Sequence, residues 1–160
     1  MKPERILDRV NKELAQDNEA SMFVTLFLGI LNIRSGELRY TNAGHNLPYL
    51  CPSGGVPVPI SGGNGLALGV MEETPYISSS LTIRPGETLV LYTDGVTEAM
   101  NRNKNFFGEA RFERVLSESG GERAETVMNA IKNEVESFAA GAYQADDITI
   151  LVLKYSGSDI

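Results

Sequence analysis

The sequence contains one cysteine, Cys51, and one histidine, His45. A lone cysteine excludes an internal disulfide and a thiolate cluster, argues against a structural zinc site and fits a reducing compartment. The chain also lacks an apolar run of the roughly 20 residues that a membrane-spanning helix needs. Its N-terminus is charged and then amphipathic, without the apolar core of a signal peptide. We therefore predict a cytoplasmic protein without a membrane segment.

Basic residues are outnumbered in this chain. It has 14 lysines and arginines against 21 aspartates and glutamates, which gives a net charge of -7. Such a chain repels nucleic acids and anionic membranes, so we expect no nucleic-acid partner. Its 160 residues, 42% of them hydrophobic, suffice for one substantial core. We predict a single domain spanning residues 1–160.

The hydrophobic pattern changes along the chain from strands to helices. An amphipathic helix is predicted for about the first 16 residues, behind Pro3. The segment 23–31 is apolar on both faces, as in a central strand, and Ser35-Gly36 turns it into an alternating strand over 37–41. The other predicted elements are strands at 47–51, 76–83 and 88–92, a loop or hairpin tip at 52–65, a short helix ending at Gly120, a longer helix over 124–138 and a last strand at 148–153. This order indicates an α+β fold, with helices packed on an antiparallel sheet or sandwich.

Two acidic turns stand at the ends of predicted strands. Asp94-Gly95 follows the strand 88–92, and Asp146-Asp147 precedes the last strand. If these strands are antiparallel neighbours, their ends meet, and carboxylates at the ends of buried strands would need a positive partner. Carboxylates without histidine or cysteine nearby are hard oxygen ligands that suit Mg²⁺ or Mn²⁺. Gly95 would let a metal, its waters or a phosphate approach the main chain. The alternative is that both aspartates only cap their turns.

Three motifs occur in order along the chain: Thr41-Asn42-Ala43-Gly44-His45-Asn46, Leu91-Tyr92-Thr93-Asp94-Gly95-Val96-Thr97-Glu98-Ala99 and Asp146-Asp147-Ile148-Thr149. Together they resemble the SpoIIE/RsbU branch of the metal-dependent (PPM) protein serine/threonine phosphatases. Supporting matches are Met22-Phe23-Val24-Thr25, Gly36-Glu37 and Gly65-Leu66-Ala67-Leu68-Gly69. The resemblance extends from about Leu7 to Tyr155, which is nearly the whole chain.

The resemblance implies an antiparallel β-sandwich flanked by helices, with a pair of Mn²⁺ or Mg²⁺ ions in a cleft between the sheets. Asp94 and Asp146 match metal-binding aspartates of the family, and Asp147 is expected beside the site. Family members hydrolyse phosphoserine or phosphothreonine on proteins, typically the bacterial antagonists of anti-sigma factors. Because a water activated by the two metals is the expected nucleophile, no protein nucleophile is predicted. Cys51 is accordingly expected to be an ordinary buried or edge residue.

His45 and Asn46 belong to a sequence that favours a turn, and we expect them in the second shell of the site or in a loop near it. Because Gly44 and Asn46 are turn formers, we predict that the His45 imidazole closes this turn by hydrogen bonding. The alternative is a role for His45 as a general acid. A lone histidine without a partner carboxylate in the sequence is weak evidence for such chemistry.

The family pattern begins further upstream than this sequence does. It starts with a Gly-Asp strand and an Asp-Val-Ser-Gly-His-Gly type turn, which supply further carboxylates and are not present here. The domain is therefore expected to be incomplete at its N-terminus. The missing strands would leave an open apolar edge beside residues 23–31, and we predict a homodimer formed through that edge. Two alternatives to a phosphatase are a non-catalytic phosphatase-like module that binds a partner and an unrelated α+β interaction domain.

Overall fold

The computed structural model describes residues 2–16, 18–144 and 146–157. These residues form two compact units, the first from residues up to 47 and from 61–82, and the second from 48–60 and from 83 onwards. Each unit contains one four-stranded sheet and at least one helix, so the predicted α+β class with antiparallel sheets and helices is confirmed. One domain over residues 1–160 stays a prediction. Within the described residues, no helix is both long and apolar enough to cross a membrane.

The first unit is built around strand β2, Glu37–Ala43. Strand β1, Leu26–Leu31, pairs antiparallel with one edge of β2, with Leu26 opposite Ala43. On the other edge of β2, β6 (Ser79–Thr82) is antiparallel and the two-residue β5 (Asn64–Gly65) is parallel. The predicted hairpin of β1 and β2 is therefore confirmed.

Strand β1 differs from the prediction in its start and its position. It begins at Leu26 rather than at residue 23, and among the described residues β2 is its one strand neighbour. It is thus an edge strand rather than a central one. Apart from the exposed Gly29, its residues are half-buried. The open apolar edge predicted beside this segment is present in the described part of the chain.

Helix α1, Pro3–Ala15, is held to the rest of the first unit by both polar and apolar side chains. The Asn11 side chain, 1% exposed, donates hydrogen bonds to the carbonyl oxygens of Met71 at 2.8 Å and Glu72 at 3.0 Å. Its Oδ1 accepts the N–H of Gly69 at 2.9 Å. One side chain therefore satisfies three main-chain groups of the loop 69–72. Leu7 is buried in a small core with Ala43, Leu68 and Tyr76.

The second unit is an antiparallel sheet of order β4-β3-β7-β8 with three helices. Its elements are β3 (Tyr49–Cys51), β4 (Val58–Pro59), β7 (Thr88–Tyr92), α2 (Asp94–Thr97), α3 (Glu109–Ser119), α4 (Ala124–Ala139) and β8 (Ile150–Lys154). Strand β7 and the two long helices agree with the prediction. The short α2, β4 and β5 were not predicted, because pieces of two to four residues carry no readable hydrophobic period.

A buried core fixes the position of β7 within the second unit. The Tyr92 ring, at the end of β7, packs on Phe112 of α3 with ring centroids 4.3 Å apart. Val90 and Val96 are completely buried on either side of Tyr92 along the chain. The strand end that leads to Asp94 is therefore anchored in the core. The same core includes Tyr49, Cys51, Phe107, Leu116, Val127, Ile131 and Val135.

Candidate functional site

The register of β7 and β8 brings the two acidic turns to one edge of the sheet. The strands are antiparallel neighbours, and Tyr92, the last residue of β7, lies opposite Ile150, the first residue of β8. Asp94 follows β7 by two residues, and Asp146 and Asp147 precede β8. The strand pairing that the sequence analysis assumed is therefore observed, and it groups Asp94, Gly95, Asp146 and Asp147.

Thr93 ties the two turns together, a role that the sequence analysis missed. Its N–H donates to the carbonyl oxygen of Thr149 at 3.0 Å. Its hydroxyl donates to the carbonyl oxygen of Asp147 at 2.9 Å and accepts the N–H of Thr149 at 3.0 Å. The signal in the sequence was a hydroxyl residue directly before the first aspartate. Its partners follow only from the register of the strands.

Gly95 is buried against the main chain of the second acidic turn. A Cβ atom at Gly95 would lie 2.5 Å from the carbonyl oxygen of Asp147, a distance that Cβ atoms essentially never show. The Gln144 side chain also donates to the Gly95 carbonyl oxygen at 3.2 Å. The close main-chain contact thus explains why position 95 is a glycine. Glycine allows the close approach of the Asp147 main chain, and the approach of a metal or phosphate to Gly95 stays a prediction.

The carboxylates of Asp94, Asp146 and Asp147 are on exposed residues. The expectation that these carboxylates are buried is therefore wrong, whereas a positive partner beside them stays a prediction. The physical reason is that β7 stops at the buried Tyr92, so that Asp94 lies beyond the sheet as the first residue of α2. Asp146 and Asp147 similarly lie before β8 begins at Ile150.

The two aspartates differ in how their polar atoms are used. Asp146 Oδ1 accepts the N–H of Asp147 at 2.8 Å, a local hydrogen bond within the second acidic turn. In α2, by contrast, it is the main-chain carbonyl of Asp94 that accepts the N–H of Glu98, at 2.7 Å. Among the described residues, the Asp94 carboxylate has no hydrogen-bond donor within reach, so turn capping does not account for it.

The donor atoms at this edge are of the type that binds a hard divalent cation. Carboxylate oxygens are preferred by Mg²⁺ and Mn²⁺, and both Asp94 and Asp146 supply them from exposed positions. In number the set is small: the described part of the chain contains no group of three or more histidine, cysteine or acidic side chains placed to hold a metal. Asp94 and Asp146 are thus the described residues at this edge that could contribute carboxylate ligands to a metal.

His45 and Asn46 belong to the first unit, and their place near the site stays a prediction. The side chain of Asn42 closes their turn, because its Oδ1 accepts the His45 N–H at 2.7 Å and its Nδ2 donates to the His45 carbonyl at 2.8 Å. The Asn42 amide thus supplies the turn closure observed here, and a role of the imidazole in closing the turn stays a prediction. The imidazole Nδ1 lies 3.4 Å from the hydroxyl of Thr25.

Cys51 is 1% exposed in the core of the second unit, as predicted for a structural residue. Its burial raises the pKa of the thiol to about 11. At neutral pH the sulfur therefore stays protonated and is not a nucleophile.

Comparison with known proteins places this geometry in context. Residues 1–156 match the family model described as Stage II sporulation protein E (SpoIIE). The chain is 36% identical over 138 residues to Protein IcfG of Synechocystis sp., covering 86% of this chain and 22% of that protein. It is 25% identical over 152 residues to phosphoserine phosphatase RsbU of Bacillus subtilis, covering 95% of this chain and 45% of RsbU.

A solved structure agrees with the fold. The SiaA-PP2C domain of Pseudomonas aeruginosa superposes with a TM-score of 0.82 at 22% identity, covering 96% of this chain and 61% of that domain. At this identity the likeness shows the fold alone. The chain thus spans less than half the length of the two curated relatives and about three fifths of the solved domain.

Proposed function

The chain belongs to the SpoIIE family, in the SpoIIE/RsbU branch of the PPM phosphatases, and from that premise we propose that it is part of a metal-dependent protein phosphatase domain. The proposed reaction is hydrolysis of phosphoserine or phosphothreonine on a bacterial regulatory protein of the anti-sigma-factor antagonist type. The relative RsbU, a phosphoserine phosphatase, supports this choice of reaction. A cytoplasmic location remains a prediction, supported by the lone cysteine.

The observation that carries the proposal is the meeting of two acidic turns at one edge of a sheet. Thr93 holds the turns together, and Gly95 permits their close approach. The exposed Asp94 carboxylate is not used in a cap among the described residues, and so is available as a ligand. A phosphoryl group is anionic, so this acidic edge would repel it unless a cation were bound between them.

Asp94 and Asp146 would hold Mn²⁺ or Mg²⁺ in this proposal. When bound, the pair of ions expected in the complete family site supplies an activated water and charge neutralisation for phosphate ester hydrolysis. The chain's own contribution is to fix the two carboxylates relative to each other. Thr93 does so through its hydroxyl, and the main chain of Asp147 packs on Gly95.

A Mn²⁺ titration of phosphate monoester hydrolysis tests the proposal. We expect turnover that saturates with Mn²⁺ and falls at least about a hundredfold in Asp94→Asn and Asp146→Asn. Mn²⁺ binding, measured by calorimetry, should weaken in the same variants. Glu98→Gln is the matched control. Glu98 is exposed, and this substitution removes the same charge from the end of α2. Equal losses in all three variants, or turnover without metal, would contradict the proposed site.

A non-catalytic module that binds a phosphorylated partner is the second candidate. It is favoured by the small donor set, since the described residues bring together no group of three metal ligands. In that case no variant and no metal concentration yields turnover, whereas a phosphorylated protein partner still binds.

We also propose self-association through the open edge of β1. The segment 23–31 carries no charged residue, and β1 has one strand neighbour in the described chain. Uncharged open edges readily pair with a second copy. Sedimentation velocity should show a mass that rises with concentration and an association that weakens in Ile30→Lys. Ile33→Lys, outside the strand, is the control, and a monomer at every concentration would count against the dimer.

A further inference from the structure

A short hairpin that follows α2 carries the most concentrated positive charge near the acidic turns. This basic hairpin consists of residues 100–106 and contains Arg102 and Lys104. The stretch between Glu98 and Glu109 has these two cations and no acid, in a chain of net charge -7. The hairpin therefore carries positive charge on a molecule whose net charge is negative.

The basic hairpin is a defined structure rather than a loose loop. Met100 and Phe106 form an antiparallel bridge at its base. The Asn101 side chain accepts the N–H groups of Asn103 at 2.9 Å and Asn105 at 3.0 Å. These bonds fix the turn that displays both cations, so a partner would meet a largely preformed surface.

The two cations of the hairpin are exposed and not engaged in ion pairs. Arg102 and Lys104 are both exposed. No ion pair between described residues involves either of them. Neutralising an anionic partner at this hairpin would therefore not require breaking an existing ion pair.

The basic hairpin lies beside the segment that leads to the second acidic turn. A Cβ atom at Gly141 would be 3.9 Å from Nη2 of Arg102, so the guanidinium reaches this segment. Three residues further on, Gln144 donates to the carbonyl oxygen of Gly95, next to Asp94. Between them Tyr143 is 88% exposed, which adds an aromatic surface beside the cations. All of these residues belong to the second unit.

We propose that the basic hairpin is a docking surface for an acidic stretch of a phosphorylated protein substrate, with Arg102 and Lys104 determining specificity. The inference rests on the proposed phosphatase function and names the substrate class of that site. A phosphorylated segment carries about -1.5 to -2 charges on each phosphate alone and is repelled by a chain of this net charge. A local cationic surface compensates for that repulsion and orients the substrate beside the acidic turns.

The test compares substrates that differ only in flanking charge. The probes are a synthetic phosphoserine peptide flanked by glutamates, the same peptide with glutamines, and a small phosphate monoester. For the double variant Arg102→Ala, Lys104→Ala we expect KM for the acidic peptide to rise about three- to tenfold with kcat unchanged. KM for the neutral peptide and for the monoester should not change. The difference should shrink at high salt.

The matched control is the double variant Arg5→Ala, Lys12→Ala, which removes the same charge from exposed positions of α1. An equal rise in KM for this control would overturn the inference, since only net charge would then matter. A rise for the small monoester would also overturn it, because the cations would then contact the phosphate itself.

A binding measurement separates this inference from the proposed function. Fluorescence anisotropy of the labelled acidic phosphopeptide requires no turnover. If no substrate is hydrolysed but the hairpin variant binds this peptide several-fold more weakly than the control does, the proposed hydrolysis fails and the docking surface stands. If hydrolysis occurs and the hairpin variant matches the wild type in both KM and binding, the docking surface is wrong and the phosphatase stands.

Discussion

The Thr93 hydroxyl donates to the carbonyl oxygen of Asp147 at 2.9 Å and so joins the two acidic turns of the candidate site. The hydroxyl oxygen of Thr93 also accepts the N–H of Thr149 at 3.0 Å. Thr93 directly precedes Asp94, so this one side chain sets the position of Asp94 relative to the second turn. The placement of the carboxylates therefore depends on an uncharged residue.

Thr93→Val tests this connection, because it keeps the shape of the side chain and removes both hydroxyl hydrogen bonds. We expect the free energy of unfolding to fall by about 1–2 kcal/mol, the net value of two hydrogen bonds. Mn²⁺ affinity should fall with it. Urea denaturation and calorimetric Mn²⁺ titration measure the two effects. Thr93→Ser retains the hydroxyl and should keep most of the stability and most of the Mn²⁺ affinity. A Thr93→Val protein with wild-type stability and Mn²⁺ affinity would refute the bridging role.

Gly95→Ala places a Cβ atom where the Asp147 main chain already lies. The 2.5 Å approach to the Asp147 carbonyl oxygen cannot be relieved by a flexible side chain, so the second acidic turn must move. We expect a loss of about 1–3 kcal/mol in unfolding free energy and weaker Mn²⁺ binding. Gly121→Ala is the control, since its nearest neighbours would be 3.8 Å away. If thermal unfolding shows the same loss of stability for both variants, the close approach is not present in solution.

The sequence predicts the main elements of the site because they carry strong local signals. The apolar run Thr88–Tyr92 agrees in both bounds with β7, and the stripe of apolar residues from Ala124 agrees with α4. Once β7 and β8 are antiparallel neighbours, the meeting of their flanking turns follows from geometry alone. The grouping of Asp94 with Asp146 could therefore be predicted before any side-chain contact was known.

Other features of the site depend on contacts that no local pattern encodes. The apolar pattern does not show that Asp94 lies outside the sheet, so its burial was predicted wrongly. At the turn before His45, both the imidazole and the Asn42 side chain could form hydrogen bonds. The structure uses the Asn42 amide, whose donor and acceptor reach the His45 main chain together. Both side chains are able to form hydrogen bonds, so the geometry of the turn, and not the residue type, decides which of them closes it.

The buried thiol of Cys51 predicts how stability changes in alkaline solution. Burial raises its pKa from the ordinary 9.0 to about 11 in the folded chain. As the pH rises through that range, the unfolded chain loses the thiol proton first, so the unfolded state binds fewer protons and the free energy of unfolding falls. Below about pH 9 the thiol is protonated in both states, and the contribution of Cys51 to the free energy of unfolding is fully present.

Urea denaturation of the wild type and of Cys51→Ala across that pH range isolates the effect of Cys51. Because only the wild type has this thiol, the stability difference, wild type minus variant, should decrease as the pH rises. A difference that stays constant with pH would show that the thiol is accessible to solvent.

Asn11 offers the largest predicted loss of stability from a single polar side chain. Asn11→Ala leaves the part-buried carbonyls of Met71 and Glu72 and the buried N–H of Gly69 without their partner. We expect the free energy of unfolding to fall by about 2–4 kcal/mol, measured by urea denaturation. Asn129→Ala, at an exposed position of α4, is the control and should change stability by no more than about 0.5 kcal/mol.

Asn11→Asp separates hydrogen bonding from packing at this position, because the two side chains have nearly the same shape. A carboxylate can accept the Gly69 N–H but cannot donate to the two carbonyls, and it carries a charge that burial disfavours. We expect this variant to be at least as unstable as Asn11→Ala at neutral pH. Protonation in mild acid restores one donor, so the deficit relative to the wild type should narrow there. An Asn11→Asp protein of wild-type stability at neutral pH would mean that the three bonds do not hold α1 to the loop.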